Sequence, residues 1–205
     1  MSRHPLVRAY QDAFRRDVLE LVARGYAVAR PRLACGLEEE VLTQYLVHAI
    51  EEELQALDLP EHLLSYITKE EAPHASGGRT GRRRRRIDIV ITRTGRGRRP
   101  EFPFEAKRLN GPGSLGQYVG EDGLELFVSE AYGEDSTEAG MVGYVQVGDR
   151  LEWADQIAVR IRRDAVRLRL LGDVDSGTGL VHWRSRHQRT ARTPIDVFHV
   201  LLDCA

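Results

Sequence analysis

The sequence predicts an α/β fold, with a mixed central sheet flanked by helices, an extra helix at the N-terminal end and extra strands at the C-terminal end. Three observations carry this. Apolar residues recur at helical spacing over two N-terminal segments and again after residue 150. Residues 87–92 and 101–107 alternate between apolar and polar, the period of a half-buried strand. Two later apolar runs, in residues 141–147 and 195–202, have the length and composition of buried strands.

Taken in order, Leu6, Val7, Phe14, Val18, Leu19, Leu21 and Val22 predict a first amphipathic helix. Pro5 sits where a first helical turn tolerates it, and Gly25 is read as lying just past the end. After the turn-like ARPRLACG, a second helix is expected from near Leu37 to about Leu57. Leu42, Leu46, Ala49, Ile50 and Leu54 form its inner face. Leu63 to Thr68 is read as a short helix or strand, and PHASGGRTG as a flexible loop in which His74 is solvated.

RIDIVIT and EFPFEAK follow as two strands joined by TGRGRRP, whose glycines and proline suit a reversal. One antiparallel register satisfies both strands. Pairing Asp88 with Glu105 sets Ile87, Ile89 and Ile91 opposite Ala106, Phe104 and Phe102 on one apolar face. Arg86, Asp88, Glu105 and Lys107 then share the other face. Pro103 cannot donate to a ladder, which implies an edge strand or a bulge.

Beyond the loop NGPGSLG, residues Tyr118, Val119, Leu124, Phe127, Val128 and Ala131 predict a helix across the sheet, despite Gly120 and Gly123. Met141 to Val147 is the next strand. Trp153, Ile157, Ala158 and Ile161 line another helix, and Val181 to Arg186 and Ile195 to Leu202 are closing strands. In SRHQR, the side chains of Ser185, His187 and Arg189 project to one side. They are read as a structural histidine and a solvated arginine, with nucleic-acid contact or support of a site as the alternative.

Composition narrows the function classes. A chain of 205 residues, 41% hydrophobic and 30% charged, fits one domain over 1–205 and neither disorder nor a membrane span. A cytoplasmic location is expected, since no signal-peptide core follows the first residues. Cys35 and Cys204 make neither a disulfide framework nor a metal cluster, and both are read as reduced. The net charge of −1 averages an acidic segment at 38–71 against arginine-rich segments at 82–99 and 160–192. That asymmetry suits a polyanion bound along one side. There is no CxxC pair, HExxH, phosphate loop or nucleophile elbow.

Two carboxylates on neighbouring strands repel each other, and a divalent cation removes the problem. Two carboxylates and a backbone carbonyl suit Mg²⁺. Lys107, on the same face as Glu105, is placed to orient or help deprotonate an attacking water. Only Lys69 and Lys107 are lysines; of the 30 basic residues the other 28 (30 less 2) are arginine. A lysine in such a chain points to chemistry that an always-protonated planar fork does poorly.

Asp88 followed by Glu105-Ala106-Lys107 on the next strand resembles the D…(D/E)xK signature of the PD-(D/E)XK, or restriction-endonuclease-like, nucleases. Ile87 stands where that family often has proline. The resemblance implies an αβββαβ core and a metal-dependent phosphodiesterase, with the order helix, hairpin plus strand, and helix read onto that core. It implies Asp88, Glu105 and the Ala106 carbonyl as ligands of Mg²⁺, with Mn²⁺ as substitute, and Lys107 at the water. An accessory acid is expected from the preceding helix. Glu39 is preferred over Glu38 and Glu40 because it lies near the edge of the buried stripe, while acids in a first helical turn also simply complement the dipole.

Arg82, Arg83, Arg84, Arg85 and Arg86 read equally as phosphate contacts beside the site or as a solvated edge that blocks strand addition. Gln117 stands where some members of the family carry a supporting glutamine. DNA is the default substrate, RNA stays open, and endonucleolytic cleavage is favoured over exonucleolytic. Members serve in restriction, repair, recombination and phage defence. A chain with no separate recognition domain is expected to take specificity from a homodimer mate or a larger complex with a protein partner. The alternatives are a catalytically silent nucleic-acid-binding or assembly subunit of the same fold, and a structural hairpin whose D…ExK is accidental.

Overall fold

In the computed structural model, residues 5–73, 86–95, 99–132, 136–172, 174 and 182–204 are described. Helix α1 spans Pro5–Ala29 and α2 Glu39–Leu54, joined through a 3₁₀ turn at Arg30–Arg32. Gly25 does not end α1. A Cβ there would lie 2.3 Å from Ile50 Cγ1, so the glycine is the point where the two helices touch. Leu6 and Val7, expected on the inner face, are exposed, whereas Phe14, Val18, Leu21 and Val22 are buried.

Strands β1 (Tyr66–Pro73), β2 (Arg86–Arg93) and β3 (Glu101–Leu109) form an antiparallel meander. The strand β1 takes up the second half of the segment Leu63 to Thr68, read as a short helix or strand, and a 3₁₀ turn at Glu61–Leu63 ends at the segment's first residue. His74 lies outside the described residues. Two short helices follow, α3 (Ser114–Val119) and α4 (Glu125–Val128), where one longer helix was expected. The chain breaks at the glycines. A Cβ on Gly123 would stand 2.3 Å from Tyr118 O, too close for a side chain. Strand β4 (Glu138–Val145) comes next, then α5 (Arg150–Arg163), β5 (His182–His187) and β6 (Ile195–Asp203). Asp149 caps α5 by accepting from the Leu151 and Glu152 amides.

Among the described residues the six strands form one mixed sheet in the order β1-β2-β3-β4-β6-β5. The ladders β3–β4 and β4–β6 are parallel and the others antiparallel. The strand that completes the three-stranded meander is β1, ahead of the hairpin, and not residues 141–147. Those residues supply β4, which starts earlier and leaves Val147 exposed. One core packs α1 and α2 on one sheet face, through Leu42, Leu46, Ile50, Ile89, Ile91, Phe102 and Phe104. A second packs α3, α4 and α5 on the other face, through Tyr118, Phe127, Ile157, Met141 and Leu201.

The hairpin has the expected register, Ile89↔Phe104 and Ile91↔Phe102. It stops one step short of Asp88. Ile87 consequently leaves the face of Ile89 and joins the second core beside Val90. Pro103 lies in a strand between two neighbours, neither at an edge nor in a bulge. It is tolerated because the ladder to β4 begins one residue later, at Phe104↔Gly140.

Candidate functional site

The site lies where β2 and β3 part. Asp88 does not continue the backbone ladder opposite Glu105; its Oδ2 accepts the Ala106 N–H at 2.7 Å. A carboxylate has replaced a carbonyl as the partner of β3, which fixes its orientation. Glu105 and Lys107, two apart on β3, share a face and are both buried. The Lys107 ammonium donates to Glu105 Oε1 at 2.8 Å, to Ala106 O at 2.6 Å and to Glu39 Oε1 at 2.9 Å.

Helix α2 delivers the fourth group. Glu39 stands in its first turn and accepts the Arg108 N–H at 3.0 Å through Oε2, while Oε1 takes Lys107. Of the three acids at this helix start, Glu39 alone is shown bonded to Lys107. Glu38 instead pairs with Arg108 at 2.9 Å, and Glu40 is exposed. Asp88, Glu105, Lys107 and Glu39 thus come together from β2, β3 and α2.

The electrostatics follow from burial. Asp88 is pushed up to about 6, chiefly by desolvation, against the Ala106 amide and Lys107, which pull it down. Glu105 is pushed up to about 8 by burial and then by Asp88, with Lys107 opposing. Burial alone would lower Lys107, but Glu105 and Glu39 overcome it and hold the ammonium. Three carboxylates against one ammonium leave two negative charges when all are ionised, so a proton is retained within the cluster near neutral pH.

The donor chemistry fits a hard divalent cation. Glu105 Oε2 is buried and has no hydrogen-bond partner, and the excess of two charges that the cluster carries once that proton leaves matches a divalent ion. Among the described residues no group of three or more His, Cys, Asp and Glu converges in a form that could hold a metal. The Ala106 carbonyl would be the third donor, and the Lys107 ammonium donates to that oxygen and to Glu105 Oε1.

An open cleft of about 280 Å³ lies in front of Lys107 and Glu39, with Arg108, Asn110, Gln117 and Asp122 among its walls. Gln117 is exposed on α3 and borders this cleft. Arg108, Asn110 and Asp122 were not singled out from sequence. Arg108 and Asn110 closely follow the ExK run, and that proximity was the available signal. Arg86 begins β2 and is exposed, while Arg82, Arg83, Arg84 and Arg85 lie outside the described residues.

Ser185, His187 and Arg189 are buried, which removes the nucleic-acid alternative and also the solvated arginine. Arg189 donates to Thr193 O and Ser136 O. The histidines form a chain with one consistent proton order. His187 Nδ1–H donates to Leu168 O, so its Nε2 accepts from Ser185. Ser185 Oγ then accepts from His199 Nε2–H, whose Nδ1 accepts from the Tyr118 hydroxyl. Every link is satisfied with both rings neutral, and burial lowers His187 to about 4 and His199 to about 3. His199 escaped notice because one histidine within an apolar strand carries no spacing signal.

Comparison with protein-family models, curated proteins and solved structures finds no match to this chain.

Proposed function

We propose that the chain is a Mg²⁺-dependent nuclease that hydrolyses phosphodiester bonds, with DNA as the default substrate and endonucleolytic cleavage favoured. The observation that carries the reading is the cluster in which Asp88, Glu105, Lys107 and Glu39 meet, three carboxylates to one ammonium, beside an open polar cleft. The succession α2, β1, β2, β3, the short helices α3 and α4, and β4, with β4 parallel to β3, supports a restriction-endonuclease-like αβββαβ core.

In this reading Asp88, Glu105 and the Ala106 carbonyl hold the cation, with Mn²⁺ as substitute. A cation held by these oxygens would supply the positive charge that polarises a phosphate and lowers the pKa of water. The chain's own residues do the rest. The Ala106 amide fixes the Asp88 carboxylate, Glu39 steadies the Lys107 ammonium, and Lys107 offers positive charge and a proton-transfer group to the attacking water. The exposed Arg86, with Arg82 to Arg85 before it in sequence, supplies charge for the phosphate backbone.

One observation favours the runner-up, a catalytically silent nucleic-acid-binding or assembly subunit. The ammonium already joins Glu39 to Glu105, so the cluster is partly satisfied without a cation. A supercoiled-plasmid nicking assay with and without Mg²⁺ separates the two. Cleavage that requires Mg²⁺ and disappears in Asp88→Asn supports the nuclease; plasmid shifted in a gel yet left intact by the wild type supports the silent subunit.

A further inference from the structure

Cys35 and Cys204 are 169 positions apart in sequence, yet Cys35 Sγ lies 3.6 Å from Cys204 O and 3.1 Å from Gln146 O. Cys35 is exposed and Cys204 is half-buried. A carbonyl oxygen is at most about 2.8 Å from its own Cα, the sum of two bonds. The Cys35 sulfur therefore stands no more than about 6.4 Å from Cys204 Cα. Cysteines joined by a disulfide have Cα atoms about 4.4–6.8 Å apart. A cysteine sulfur is itself about 2.8 Å from its own Cα, so the contact holds the two Cα atoms within about 9 Å. Closing the bond takes a turn of both side chains with at most a shift on the order of 2–5 Å in the exposed linker at Cys35.

We propose that Cys35 and Cys204 form a reversible intrachain disulfide, a redox clasp that fastens the segment leading into α2 to the end of β6. Exposure makes Cys35 the thiol that meets an oxidant first. As thiolate it attacks one sulfur of a small disulfide such as oxidised glutathione, giving a mixed disulfide and one released thiol. Cys204, also as thiolate, attacks the Cys35 sulfur, forms the Cys35–Cys204 bond and expels the second thiol. Two protein thiols are oxidised, one small disulfide is reduced to two thiols, and the two protons end on those products. Burial, with Cys35 nearby, pushes the Cys204 thiol up to about 12, so the second step is the slow one.

The clasp acts on the segment that carries Glu39. Leu37 O accepts from Gln146 Nε2 at 2.9 Å and from Arg108 Nη1 at 3.3 Å. Those two bonds already tie the linker to the ends of β3 and β4, and the disulfide adds a covalent tie four positions before Glu39. Any consequence for cleavage rests on the nuclease reading, whereas formation of the bond does not.

The test uses the full chain and no nucleic acid. Incubation with oxidised glutathione is expected to take the two free thiols to none, with a mass loss of about 2 Da and no retained glutathione. A Cys35–Cys204 peptide should appear in a non-reduced digest. The melting temperature should rise by about 5 °C and return with dithiothreitol, since closing so long a loop restricts the unfolded chain. Cys35→Ser and Cys204→Ser should each block the bond. Two thiols left free, glutathione retained on both cysteines, or a disulfide found only between chains would overturn the clasp. Because binding and cleavage are not read, a chain inert on DNA leaves this result untouched.

Discussion

Glu39 and Lys107, 68 positions apart, meet at 2.9 Å between Oε1 and Nζ, and this contact joins the start of α2 to the hairpin. The second oxygen of Glu39 takes the Arg108 amide. One carboxylate therefore serves an ammonium and a backbone donor at once. Glu39→Gln keeps a single acceptor and loses the charge. It is expected to lower stability by about 1 kcal/mol in a urea melt, the scale of a partly exposed charged hydrogen bond. Glu38→Gln and Glu40→Gln, on exposed side chains, should stay within about 0.5 kcal/mol. Equal losses at all three positions would mean that only the helix dipole is involved.

Glu105 gives the metal-free protein a pH dependence of defined sign. Its folded value, about 8, is above the ordinary 4.5, so the folded state holds a proton that the unfolded chain has lost. Its stability contribution is full below about pH 4.5 and is lost as pH rises through about 8. The slope reaches at most about 1.4 kcal/mol per pH unit for one such group. Denaturant melts in chelator from pH 5 to about 8 should show wild type falling relative to Glu105→Gln. Comparing the two proteins cancels the histidines, whose depressed values act in the opposite sense below about pH 6.5. Parallel curves would remove Glu105 as the proton-holding group.

Much of this architecture was legible because the hairpin alternates. Ile89, Ile91, Phe102 and Phe104 leave one register that buries them all, and the structure has it. What escaped was set by contacts between distant segments. The end of the ladder at Asp88 depends on a side chain taking a backbone amide, and nothing in the order of residues announces that. The meander strand β1 was hidden because TKEEA carries strand pairing without apolar alternation. Gly25 was misread for a similar reason, since a glycine at a close helix crossing and a glycine past a helix end look alike in sequence.

Gly25→Ala tests that crossing. In an isolated helix alanine is favoured over glycine by about 1 kcal/mol. Here the added methyl would stand 2.3 Å from Ile50 Cγ1 and 3.1 Å from Ile50 N. Backbone cannot yield as a flexible side chain can, so the variant should be less stable by about 1–3 kcal/mol, the range for overpacking a core. A variant as stable as wild type, or more so, would show that α1 and α2 separate at little cost.

Lys107→Arg tests the chemistry assigned to the site. The lysine ammonium meets three oxygens from Glu39, Glu105 and Ala106 within 2.6–2.9 Å, and its side chain is 11% exposed. A guanidinium carries the same charge but presents it as a longer planar fork. It cannot converge on three oxygens around one nitrogen, so Glu39 and Glu105 must spread to admit it. Positive charge toward the cleft survives, and affinity for a DNA duplex should change by less than about threefold. In the proposed nuclease reading an attacking water would lose its compact neighbour, and the cleavage rate should fall by about a hundredfold or more, the scale of removing a general acid or base. Single-turnover cleavage and equilibrium binding, measured on the same preparation, separate these effects. An arginine variant that cleaves at nearly the wild-type rate would reduce the role of Lys107 to charge, while an equal fall in binding and cleavage would make it a substrate anchor.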